Sequence, residues 1–216
     1  MPTYSIMRNM RTVMALGLIA VGAIANADPI SVYSTGFGLP TGASDSNWTI
    51  DGTFAKVSDA HSAWTGGNAI LAAGNAKWIN VAGSSSTEEP ASIDAFSTSF
   101  DLSGYDPATA SLTVWWSSDN GSKLYLNGNL VDDIPGIDNG VQSYQTNKSV
   151  TITSGFLAGL NTLTFDVTNG DDGIPQQGPI GLIADVSGTV NAVPEPASMI
   201  ALGLGGMALL RRRRKA

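Results

Sequence analysis

Leu112, Val114 and Trp116 alternate with Thr113, Trp115 and Ser117, a period of two that suits a β-strand with one buried face. The same texture extends from Ile30 to Val186 as short apolar runs broken by Gly, Asn, Asp and Ser, with no sustained 3.6-residue period. Residues 30–35 are the first expected strand. Residues 48–50 and 54–57 flank Asp51-Gly52, a hairpin turn pair in which both positions tolerate positive φ. Strands are also expected over 77–81 and 93–102, the latter with Phe96, Phe100 and Leu102 in one register. Residues 123–126 and 130–131 bracket the turn Asn127-Gly128-Asn129. Strands then centre on Val150 and Ile152, on Leu163, Phe165 and Val167, and on Leu182, Ala184 and Val186. Residues 59–76 read as a loop, 83–90 as a flexible connection and 154–158 as a single helical turn. About ten short strands in one domain predict an all-β fold, a two-sheet antiparallel β-sandwich.

The two ends of the chain have a different composition. Arg8 and Arg11, the apolar residues 13–25 and the small-x-small triplet Ala25-Asn26-Ala27 form a secretory signal peptide over 1–27, cut before Asp28. Signal peptidase and the secretion machinery are the implied partners, and the ectodomain is 28–192. Residues 193–216 open with Val193-Pro194-Glu195-Pro196. The two prolines fix φ and remove two backbone donors, which holds Glu195 extended and outside any helix. Residues 197–210 are uncharged, and Arg211, Arg212, Arg213, Arg214 and Lys215 follow, cations that a cytoplasmic membrane edge retains. As a helix the apolar segment would be about 21 Å long, short of the roughly 30 Å hydrocarbon core. That length argues against an ordinary permanent anchor. A buried C-terminal helix of a soluble protein is the alternative reading, opposed by Gly203, Gly205 and Gly206.

Break, apolar segment and basic stop, in that order, resemble the PEP-CTERM sorting signal of Gram-negative bacteria. The resemblance implies recognition by an exosortase, membrane contact through the C-terminal helix, and an inner-membrane-anchored precursor. Delivery would be to the surface or extracellular matrix of bacteria that make exopolysaccharide. A second resemblance covers about 95–190. Thr98-Ser-Phe-Asp-Leu-Ser-Gly-Tyr-Asp-Pro-Ala-Thr-Ala-Ser-Leu112, Trp116-Ser-Ser-Asp-Asn-Gly-Ser-Lys-Leu-Tyr-Leu-Asn-Gly128 and Gly155-Phe-Leu-Ala-Gly-Leu-Asn-Thr-Leu-Thr-Phe165 look like a galactose-binding-like jelly roll. Such domains occur as sugar-binding modules, so the likeness implies a jelly roll that binds glycans.

Charge narrows the partners. Residues 28–192 hold 17 of the 18 acids but only four of the 11 cations, a net charge of −13. A nucleic-acid surface needs the opposite sign. The chain has no cysteine, which excludes disulfides, a thiol nucleophile and a thiolate metal site. Hard oxygen ligands are plentiful on turns. Asp132, Asp133 and Asp138 form one acidic group and Asp171 with Asp172 another, while Asp185 lies in the last expected strand. Structural calcium at these residues is one reading, and solvated acidic loops are the other. Related jelly rolls hold a structural calcium near their first and last strands, which the resemblance carries to Asp185.

Aromatic faces beside amides are the usual sugar platform. Trp48, Trp64, Trp115 and Tyr144 are the ligand-binding candidates, against the competing reading of each Trp as core. Neighbours in a strand face opposite ways, so Trp116 is expected inside and Trp115 outside. Catalysis has few candidates: His61 is the only histidine, and no Gly-x-Ser-x-Gly elbow occurs. The expected function is non-catalytic binding of exopolysaccharide or other glycans by an exported surface protein. A structural matrix component without a discrete ligand site is the alternative, and a glycan-active enzyme a more distant one.

Overall fold

A computed structural model describes residues 27–171 and 174–193, with helical backbone at Gly203, Gly205, Gly206 and Arg211 beyond them. Most of the signal peptide and of the sorting segment lies outside the described residues. The strands are β1 (Ala27–Pro29), β2 (Ser44–Ile50), β3 (Thr53–Val57), β4 (Ile79–Asn80), β5 (Ser92–Asp101), β6 (Tyr105–Asp119), β7 (Ser122–Leu126) and β8 (Asn129–Ile134). They continue as β9 (Ile137–Asp138), β10 (Val141–Gln142), β11 (Lys148–Ile152), β12 (Leu160–Asp171), β13 (Ile174–Pro175) and β14 (Gly181–Ala192). One short helix, α1 (Asn68–Ala73), follows a 3-10 turn at Thr65–Gly67, and a second 3-10 turn occupies Ser143–Gln145. Among the described residues no helix is long and apolar enough to cross a membrane.

The main sheet runs β11-β6-β14-β4-β3-β2-β5-β12-β7-β8, with β1 added to β14 and β13 to β12. Each neighbouring pair is antiparallel. The sheet folds over into a β-sandwich, because the inward residues of its two halves pack together. Leu112, Val114 and Trp116 of β6 share one buried cluster with Phe96, Leu163, Phe165 and Val167 of β5 and β12. The Phe165 ring lies 5.9 Å from that of Trp116 and 6.0 Å from that of Trp48. Burying one such aromatic contributes on the order of 2 kcal/mol, so alternation along these long strands sets which face turns inward. Asn127 (φ 52°) and Gly128 (φ 78°) make the tight β7–β8 turn expected of that pair.

Three local expectations fail for identifiable reasons. The first strand is Ala27–Pro29, not 30–35. Beyond Ile30 the chain still follows β14, but hydroxyls share the work with backbone groups, the Thr35 amide donating to the Ala184 carbonyl at 2.9 Å. Ser34 Oγ accepts from the Val186 amide, and Thr35 Oγ1 from that of Ala184. Residues 59–76 contain α1 and a 3-10 turn rather than loop alone. Residues 154–158 form no helical turn, because the Asn161 side chain takes the Leu157 amide and donates to the carbonyls of Leu157 and Gly159. The connection expected over 83–90 is pinned at its end, where the Glu89 amide donates to the Gly178 carbonyl at 2.8 Å.

Candidate functional site

A cleft of about 270 Å³ opens where the C-terminal ends of β6 and β12 meet the start of β14. Asp119 and Asn120 come from the end of β6 and the turn after it, and Asn169 and Gly170 from β12. Gln176 to Pro179 close the side towards β14, and His61, Trp64 and Tyr144 supply aromatic rings.

A small second core positions these rings. Trp64 stacks on Trp78 with ring centroids 4.4 Å apart, and both pack with Ile70, Ala76 and Ile183. Glycine makes the stack possible. A Cβ at Gly181 would lie 2.7 Å from Trp64 Cη2, and one at Gly67 2.7 Å from Trp78 Cζ2, distances no side chain occupies without displacement. Trp64 Nε1 donates to Asp119 Oδ2 at 2.6 Å, which fixes that buried carboxylate at the cleft wall. His61 leans over Trp64 at 5.8 Å and is half-buried. Tyr144 is half-buried on the 3-10 turn and packs against the same small core.

The polar wall is equally built. Asn120 Oδ1 accepts from the Gly170 amide at 2.8 Å, and the Asn120 amide donates to the Thr168 carbonyl at 2.9 Å. Asn169 is buried, and its Nδ2 donates to the carbonyls of Glu89, Pro90 and Gly178 at 2.9–3.1 Å. Its Oδ1 has no hydrogen-bond partner and would lie 3.5 Å from a Cβ placed on Gly178. A buried acceptor left unpaired costs about 1–3 kcal/mol, a cost that a donor reaching it would remove.

The sequence-based candidates separate at this point. Trp64 and Tyr144 line this cleft together. Trp64 is only 1% exposed, so it offers the cleft an edge, with its face on Trp78. Trp48 is fully buried in the main core, with Nε1 donating to the Tyr33 carbonyl at 2.9 Å, and is not a surface platform. Trp115 is 48% exposed on the outer face of β6, as alternation requires, and lines neither cleft described here.

The acidic residues are dispersed. Asp132 pairs with Lys148 Nζ at 2.6 Å, Asp133 is exposed on β8, and Asp138 accepts from its neighbour Asn139 on the β9–β10 hairpin. Asp185 accepts from Ser34 Oγ at 2.7 Å, which ties β14 to the segment after β1. Asp172 and the Asp171 side chain lie outside the described residues. Among the described residues no group of three or more His, Asp or Glu could hold a metal ion. The Lys148 ammonium already occupies one oxygen of Asp132.

The other terminus is anchored beside β1. Asn191 of β14 pairs with Ala27, and the Val193 amide donates to the Gly104 carbonyl at 2.9 Å. Residues 192–215 match the PEP-CTERM protein-sorting motif. The sorting motif thus begins on the last residue of β14. Ala27, beside the expected cleavage bond, is exposed in β1, while Ala25 lies outside the described residues. No curated protein matches the sequence. Among solved structures, the chain is similar to a family 35 carbohydrate binding module from Clostridium thermocellum, with TM-score 0.38 and 13% identity over 77% of this chain and 100% of that one. A second family 35 carbohydrate binding module, from an environmental isolate, aligns with TM-score 0.33 and 11% identity over 77% and 99% of the two chains. A β-glucosidase from Kluyveromyces marxianus aligns with TM-score 0.28 and 13% identity over 43% of this chain and 11% of that one.

Sequence reasoning missed Asn120, Asn169 and Gln176 as site residues. Each sits next to a glycine or a proline, a signal for a break in a strand but not for a shared cleft. Long-range pairing brings their segments together: Asp119 is set against Gly181, the Asn120 amide bonds the Thr168 carbonyl, and the Gln176 amide bonds the Asn169 carbonyl.

Proposed function

We propose that this chain is an exported surface protein, sorted and processed through its PEP-CTERM motif by an exosortase, whose β-sandwich binds a neutral or amino-sugar glycan in the β6–β12–β14 cleft. The observation that carries the binding reading is the convergence of Asn120, Asn169, Gln176 and Asp119 with the rings of Trp64, Tyr144 and His61 in one cleft. Amides and a fixed carboxylate are donors and acceptors for sugar hydroxyls, and ring edges and faces meet the apolar C–H side of a pyranose. Its volume is near the low end of ligand pockets, which suits one or two sugar rings. The net charge of −13 over residues 28–192 repels polyuronates and favours uncharged or cationic chains.

Two measurements test the two halves of this reading. The exported, processed protein is screened on an array of neutral, amino-sugar and uronate glycans. Binding to the first two classes, weakened about tenfold by Tyr144→Ala, supports the cleft. Silence across the array, or binding confined to uronates, refutes it. For sorting, Pro194-Glu195-Pro196 is replaced by alanines in a host that carries an exosortase. The expected product is a longer, membrane-retained form, and an unchanged mass would remove the processing step.

A further inference from the structure

A second cleft, of about 380 Å³, lies on the outward face of the β5-β12-β7-β8 half of the sheet. Lys123 and Tyr125 of β7, Asp133 of β8, Asp166 and Thr168 of β12 and Ile93 of β5 line it. The register sets Lys123 opposite Asp166 on one side and opposite Asp133 on the other, so its charges alternate across three strands. Desolvation pushes Asp166 above the ordinary carboxylate value, opposed by the nearby Lys123 ammonium and reinforced by the negative Asp51. Tyr125 is half-buried and Ile93 is exposed, so a ring and an apolar surface lie among groups that hydrogen-bond.

The two clefts share a wall. Asn120 lines the first and Gly121 the second, and in β12 Asn169 lines the first and Thr168 the second. Consecutive Cα atoms are about 3.8 Å apart, so one residue's width of backbone divides the clefts. Two hydrogen bonds hold that ridge, from the Asn120 amide to the Thr168 carbonyl at 2.9 Å and from the Thr168 amide to the Gly121 carbonyl at 2.8 Å. Gly121 packs against the segment after β8, since a Cβ there would come within 2.8 Å of the Gly136 amide nitrogen.

We infer that the two clefts form one continuous track for a linear glycan several residues long, crossing the ridge at Asn120-Gly121. This rests on the glycan reading of the first cleft and specifies the ligand as a stretch of chain rather than a single terminal sugar. Tyr144 serves one end of the track and Tyr125 the other. Lys123, Asp133 and Asp166 supply hydrogen bonds without a net positive field.

Titration calorimetry on the processed protein decides the matter, using linear oligomers of glucose, galactose, mannose, N-acetylglucosamine and glucosamine from disaccharide to hexasaccharide. A single track gives one hexasaccharide per protein, bound about tenfold or more tighter than the disaccharide. Tyr125→Ala then removes that gain while leaving disaccharide affinity unchanged, whereas Tyr144→Ala weakens both. Lys123→Ala, at an exposed position, repeats the first pattern if Tyr125→Ala does not fold. Two hexasaccharides per protein, or a hexasaccharide indifferent to both second-cleft variants, would overturn the track and leave the first cleft standing. Failure of every oligomer to bind would sink the glycan reading itself, and the track with it.

Discussion

At Gly181 the strand can begin beside the tryptophan pair only because no side chain is present. Alanine there would bring its Cβ to 2.7 Å from Trp64 Cη2 and 3.2 Å from Trp78 Cε3. Gly181→Ala is expected to destabilise by about 1–3 kcal/mol, as overpacking does, and to shift Trp64 off Asp119. Thermal melts read the first effect and tryptophan fluorescence the second. Carboxylates make a separate prediction. Burial raises Asp94 above the ordinary value, opposed by a hydrogen bond with Ser92 and reinforced by Asp51, and Asp166 is raised mainly by burial as well. The native state then takes up these protons more readily than the unfolded chain, so stability grows as pH falls through their raised native values towards the ordinary carboxylate value of about 3.9. Asp59 works in the opposite sense. The Ser85 amide and hydroxyl hold it low, and its contribution is lost as pH falls through that depressed value. The expected Tm profile rises on mild acidification and drops below about pH 4. Asp94→Asn should flatten the rise, and a Tm that falls steadily from pH 7 would contradict the assignment.

Among the elements, the β7–β8 turn shows how a local signal becomes a tertiary contact. Asn127 adopts positive φ for the turn, and its side chain also docks the hairpin on β12. Oδ1 accepts from the Thr162 amide, and Nδ2 donates to the Gly155 carbonyl and to Asn161 Oδ1, each at 2.9 Å. Replacing it with alanine removes three hydrogen bonds worth about 1 kcal/mol each. Asn127→Ala should therefore lower unfolding free energy by roughly 2–3 kcal/mol in urea, and Gly128→Ala by less. The turn itself was legible in the sequence because Asn-Gly encodes it locally, as was the inward face of β6, because period-two alternation encodes that. The β14 ladder beyond Ile30 was not, since Ser34 and Thr35 hydroxyls end it and their partners lie about 150 residues away. The cleft was half legible. Trp64 and Tyr144 could be picked out as aromatics outside the expected strands, but Trp48, in an expected strand, was picked out with them and is core. What separates the two tryptophans is their neighbours, Phe165 of β12 for Trp48 and Trp78 beside the cleft for Trp64, which no local pattern contains.

For the whole molecule, the acidic excess repels itself across the surface. Calcium and magnesium at equal concentration should raise Tm equally, and sodium chloride at matched ionic strength should reproduce the effect by screening. A rise specific to calcium would show that Asp171 and Asp172, or residues near them, complete a site. The placement of the termini has a different kind of consequence. Ala27 pairs with Asn191 near one end of β14, while the first cleft borders Gly181 at the other. The strand between Gly181 and Asn191 separates those poles by roughly 33 Å at about 3.3 Å per residue. Both processing segments thus join the sandwich at one pole and the cleft proposed for the glycan lies at the other, so the tether and the grip would not compete for space. A precursor moored at the membrane would already face its cleft outward. It could take hold of a polysaccharide chain before the cut, and cleavage would then change where the cargo goes rather than whether it is held.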